Sequence, residues 1–119
     1  MVNIKSEEEI KIMAEGGKIL AKALKEVEKM ARSGITTLEL DRAAEALILK
    51  MRARPGFKGY ENFPYSLCAS VNDVIVHGIP SDYKLKDGDI VGLVLGVLWK
   101  GYNTDMAVTV PIGYVSFEA

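Results

Sequence analysis

The chain has 119 residues, of which 49% are hydrophobic and 26% charged, with a formal net charge of −1. This suits one soluble domain with a modest core, 1–119, and the near-neutral balance excludes a general affinity for nucleic-acid backbones or anionic membranes. A single cysteine, Cys68, excludes an internal disulfide and any zinc-finger spacing. The glycine-broken apolar run 90–99 is too short to span a membrane, and the acidic opening lacks the apolar core of a signal peptide, so a cytoplasmic location is the default expectation.

The first predicted element is a helix. Ser6 followed by Glu9 makes a capping box, and Ile10, Met13, Gly17, Leu20, Leu24, Val27 and Ala31 recur at steps of three and four, the spacing of one buried stripe. Gly17 lowers helix propensity inside that stripe, which points to close packing there, and Gly34 ends the element. Thr36 and Glu39 form a second capping box, with Leu40, Ala44, Leu47 and Met51 as the buried face of a second helix. Pro55-Gly56 stops the helical pattern. Residues 55–65 read as a loop whose aromatics, Phe57, Tyr60, Phe63 and Tyr65, either cover the core edge or wall a pocket.

The second half reads as β. Short strands are predicted at 66–71 and 74–76, around Asn72-Asp73, and longer ones at 90–99 and 102–110, joined by Lys100-Gly101 as a tight hairpin turn. Two helices followed by antiparallel strands imply an α+β domain with both helices on one face of the sheet. With a two-residue turn, Asp105 falls opposite Gly96 and Ala107 opposite Val94. Side-chain alternation then puts all four on one face.

Four stretches, in order and suitably spaced, carry a resemblance. They are Gly34-Ile35-Thr36-Thr37-Leu38-Glu39-Leu40-Asp41, Ser70-Val71-Asn72-Asp73-Val74-Ile75-Val76-His77-Gly78-Ile79-Pro80, Leu85-Lys86-Asp87-Gly88-Asp89-Ile90-Val91 and Asp105-Met106-Ala107-Val108-Thr109. With the opening helix, they make the chain resemble the N-terminal half of the type I methionine aminopeptidases. These are pita-bread enzymes that remove initiator methionine with two divalent metals, such as cobalt, manganese, iron or zinc. The resemblance implies a half pita-bread fold: two helices packed on an antiparallel β-sheet. It implies a ligand set of two aspartates, one histidine and two glutamates, the last three belonging to a second half of the domain.

Asp105 matches one of the ligating aspartates. Position 94 matches the other but holds valine, which has no lone pair to offer, so one ligand of five is expected here. A catalytic metal ordinarily needs at least three protein ligands. Asp105 is therefore expected to be vestigial, and no cofactor is expected to bind. His77 matches a substrate-contacting histidine outside the metal shell; alternatively it is an exposed or structural histidine. Asn72 and Val74 match positions whose backbone carbonyls hold a monovalent cation in some members. Cys68 matches a common family cysteine and is expected to be a buried, unreactive thiol.

Thr104 and Met106 stand where smaller residues are usual, and Gly92, Leu95, Leu98 and Trp99 suggest repacking of the same hairpin. Such coordinated change points to a redesigned chain, or to a degenerate paralogue. The expected function is a non-catalytic half-domain that self-associates as a homodimer resembling the whole fold, without nucleic-acid or membrane partners. The alternative is an aminopeptidase fragment that acts with its C-terminal half, or through a symmetric metal site built from Asp105 and His77 of two copies.

Overall fold

Both helices begin where the capping boxes place them. In α1 (Glu7–Met30) the Glu9 amide donates to Ser6 Oγ at 3.1 Å and the Ser6 amide to the Glu9 carboxylate at 3.2 Å. In α2 (Thr37–Lys50) Thr36 and Glu39 repeat the exchange at 3.0 and 3.1 Å. Each box satisfies backbone N–H groups that have no acceptor within the helix. The computed structural model describes residues 6–57, 64–72 and 78–113. Among them, no helix is long and apolar enough to cross a membrane.

The sheet is built on β3 (Ile90–Trp99). Strand β4 (Tyr102–Pro111) pairs with β3 along its whole length, and β2 (Leu67–Val71) and the two-residue β1 (Arg54–Pro55) pair with different segments of β3. Because β4 fills one edge of β3, β2 and β1 lie end to end along the other, opposite 91–95 and 97–98. All the pairings are antiparallel, as expected. Strand β1 falls where a loop was expected; the Gly56 amide extends the contact by donating to the Gly96 carbonyl at 2.9 Å. The second predicted strand, 74–76, lies outside the described residues.

Lys100 and Gly101 make the hairpin turn, with φ of 48° and 87°. Positive φ at both central residues is what a two-residue turn needs to match the right-handed twist of the strands. It fixes the register: Gly96 lies opposite Asp105, and Val94 opposite Ala107. The odd-numbered residues of β3 then face the helices, and Val91, Leu93, Leu95 and Val97 are completely buried there. Helix α1 covers β3 and β4, and α2 covers β1 and β2, so both helices lie on one face. Leu20, Ala23, Leu24 and Val27 of α1 and Leu40, Ala44 and Ile48 of α2 complete the core.

Three details of the helices differ from the sequence reading. The glycine at the close contact is Gly16, where an added Cβ would stand 3.3 Å from Trp99 Cβ; nothing lies within 4 Å of the same position at Gly17. Residue spacing defines a stripe but not which side of its centre meets a bulky partner, and Trp99, far away in sequence, decides that. Ile10 is 56% exposed rather than buried. Helix α1 stops at Met30, and Gly34, with φ of 96°, instead serves the following turn, its amide donating to the Leu85 carbonyl at 2.7 Å.

Candidate functional site

The sheet face turned away from the helices carries Cys68, Val94 and Asp105, whereas Leu95, Trp99, Thr104 and Met106, expected to repack the same hairpin, lie on the face toward the helices. Alternation brings Cys68, Val94 and Ala107 into one row across β2, β3 and β4, with Gly96 and Asp105 in the next. Val94 is half-buried between Cys68 and Ala107, and Asp105 is exposed. Beside Asp105, the Phe57 ring lies over Gly96 so closely that an added Cβ would stand 3.0 Å from it. Gly56, Phe57, Gly96, Asn103, Thr104 and Asp105 line an open hollow of about 560 Å³. Phe57 thus covers the core edge and walls a hollow at once. Tyr60 and Phe63 lie outside the described residues.

This surface does not fit a pair of divalent ions. Position 94 offers an isopropyl group where a carboxylate would be needed, and the neighbouring ground is taken by an aromatic ring and an alanine. Among the described residues, no group of three or more His, Cys, Asp and Glu side chains is placed to hold a metal. His77 and Val74 lie outside the described residues. At Cys68, burial, with a smaller contribution from the Asp41 charge, pushes the thiol above its ordinary range, away from the thiolate that nucleophilic chemistry requires.

The buried carboxylates among the described residues lie elsewhere, and neither was singled out by sequence. Asp41, on the buried side of α2, accepts the Ser66 and Leu67 amides at 2.7 and 2.9 Å. Asp89 is 2% exposed and accepts from Tyr83 Oη at 2.7 Å, the Lys86 amide at 3.0 Å and Asn72 Nδ2 at 3.1 Å. Asn72, with φ of 55°, also accepts the Ile90 amide on Oδ1, so its side chain locks the end of β2 to the start of β3. The one available signal was chain position: Asp41 follows the core residue Leu40, and Asp89 immediately precedes the first residue of β3.

The Tyr83–Asp89 pair makes stability pH-dependent at both extremes. Burial pushes the Asp89 carboxyl up, but the bonds from Tyr83, Lys86 and Asn72, with the Lys86 charge, outweigh it and leave the group below its ordinary value. Its contribution is therefore present above the unfolded carboxylate range and is lost as pH falls through the lower folded value. The Tyr83 hydroxyl is raised, first by its bond to Asp89, then by burial and the Asp89 charge. Its contribution is present below the unfolded tyrosine value and is lost as pH rises through the higher folded one. Urea midpoints measured across pH are expected to show a plateau falling at both ends. Tyr83→Phe should shrink both slopes; unchanged slopes would contradict the pairing.

Comparison with known proteins agrees with this geometry. The sequence model of metallopeptidase family M24 matches residues 11–119. A methionine aminopeptidase from Helicobacter pylori is 50% identical over 115 residues, which are 97% of this chain and 46% of that protein. Methionine aminopeptidase crystal structures from Rickettsia prowazekii and Thermotoga maritima superpose with TM-scores of 0.93 and 0.91, at 33% and 38% identity. Each match covers 98% of this chain and 47% of the other. The chain spans about half the length of the relatives it matches, corresponding to the N-terminal half of a type I methionine aminopeptidase. With two helices laid on one face of an antiparallel sheet, and a family match running from Lys11 to Ala119, the chain belongs to metallopeptidase family M24.

Proposed function

We propose that this chain is a non-catalytic M24 half-domain that acts by self-association, in the cytoplasm, rather than by releasing N-terminal methionine. Val94 carries the reading. It faces Ala107 and Cys68 on the sheet surface where the family resemblance calls for a ligating aspartate. A lone exposed Asp105 cannot position an activated water, because the metal that would do so needs further donors. A homodimer follows from the open sheet face. Apolar and small residues left in water favour association, and a twofold arrangement is the simplest closed solution for one kind of chain.

A second reading, that the chain supplies part of an active aminopeptidase, draws on the retained Asp105 and the identity to methionine aminopeptidases. One experiment separates the two. The purified chain is incubated with a Met-Ala-Ser peptide and cobalt, manganese, iron or zinc in turn, while calorimetry measures cobalt and zinc binding. The expected result is no methionine release and no stoichiometric site removed by Asp105→Ala. Val94→Asp should restore a carboxylate diagonal to Asp105 and raise cobalt affinity without producing turnover. Metal-dependent release by the parent chain that survives repurification would refute the non-catalytic reading.

A further inference from the structure

Strand β4 offers one edge that no described residue pairs with, since β3 occupies the other. In a hairpin with this turn, Trp99 and Tyr102 form a hydrogen-bonded pair, so the amides of even-numbered β4 residues face β3. Those of Asn103, Asp105, Ala107 and Thr109 point outward. All four residues are exposed, and none of the loop, turn or cap backbone bonds among the described residues involves them. Natural sheets protect such an edge by shortness, lysine, proline or a bulge. Strand β4 runs for ten residues in unbroken register with β3, carries no lysine or arginine, and reaches proline only at its last position, Pro111.

The outward set is complementary to itself in one register. A twofold axis perpendicular to the sheet must set one β4 residue against its own copy. An axis through Asp105 would face two carboxylates directly. One through Ala107 would oppose Asn103 with Pro111, which has no N–H to give. An axis through Met106 pairs Asn103 with Thr109 and Asp105 with Ala107, using every outward amide, and leaves Pro111 beyond the ladder opposite Gly101. It also covers Met106, which is 41% exposed although it lies on the helix-bearing face.

We propose that β4 pairs antiparallel with β4 of a second copy about a twofold axis through Met106, joining the two sheets into one. This rests on the self-association reading but puts the contact at the sheet edge, with the sheet face that carries Val94 and Asp105 left uncovered. The two Asp105 carboxylates then lie diagonally, roughly 7–8 Å apart, so added salt and Asp105→Asn both tighten the dimer.

The test uses cysteine pairs in a Cys68→Ala background. Opposed residues in a non-hydrogen-bonded pair have Cα atoms about 4.5 Å apart, within disulfide reach. Met106→Cys should therefore crosslink to its own copy under mild oxidation. Thr109→Cys, roughly 20 Å from its copy in this register at ~3.4 Å per residue, should not. Ala107→Pro removes an outward N–H and leaves the β3 ladder intact, so light scattering should find a folded monomer at concentrations where the parent is a dimer. Met106→Lys, which sets two ammonium groups against each other on the axis, decides the point if the proline variant does not fold. A parent dimer that survives Ala107→Pro and Met106→Lys without Met106→Cys crosslinking overturns the interface and leaves self-association standing. A parent that is monomeric at every concentration overturns both.

Discussion

Replacing Asp41 with alanine is expected to destabilise the fold by about 3–5 kcal/mol. The side chain is 5% exposed, and its Oδ1 accepts two backbone N–H groups at the entrance to β2, from Ser66 and Leu67, both buried. Truncation leaves both donors without that acceptor, at roughly 1–3 kcal/mol each. Asparagine keeps an oxygen at the same place but gives up the charge and turns the second oxygen into an NH2 donor, so Asp41→Asn should cost about 1–2 kcal/mol. Urea unfolding followed by circular dichroism measures both. Equal losses, or a loss below about 1 kcal/mol for the alanine variant, would show that Asp41 does not anchor the strand. The consequence reaches the candidate site, because the start of β2 sets Cys68 beside Val94.

The parts of this fold that are legible in the sequence are those decided by neighbours in the chain. Ser6 with Glu9 and Thr36 with Glu39 start helices because the partner groups are three residues apart. Lys100-Gly101 sets the hairpin register because two residues admit only a narrow choice of turn, and that register puts Val94 and Asp105 on one face. What the sequence leaves hidden depends on distant partners. Gly16 rather than Gly17 meets Trp99. The burial of Asp41 and Asp89 depends on amides far along the chain or on a loop that folds back, and nothing in their own spacing distinguishes them from surface carboxylates. The same holds for Phe57, whose seat over Gly96 requires β1 to join the sheet.

Gly78→Ala is expected to be of similar severity, about 3–5 kcal/mol, with a fall of about 10–20 °C in melting temperature. Gly78 is buried, and its carbonyl accepts the Ala69 amide at 2.9 Å. A methyl group there would collide with the Ala69 carbonyl oxygen and stand 2.6 Å from the Ser70 nitrogen. The obstacle is backbone, so no rotamer change relieves it. Strand β2 cannot retreat, because Ala69 is paired with Leu93 on its other side and its own side chain is buried in the core. The variant must either pull the 78–80 segment away, forfeiting the Ala69 bond, or distort the sheet beside the candidate site. Gly17→Ala makes the contrasting case: nothing lies within 4 Å of the added methyl, and the position is interior to α1. That change should stabilise by about 0.5–1 kcal/mol through helix propensity alone. Opposite signs at the two glycines are the expected outcome in thermal unfolding; a neutral Gly78→Ala would mean that the segment does not lie against β2 as described.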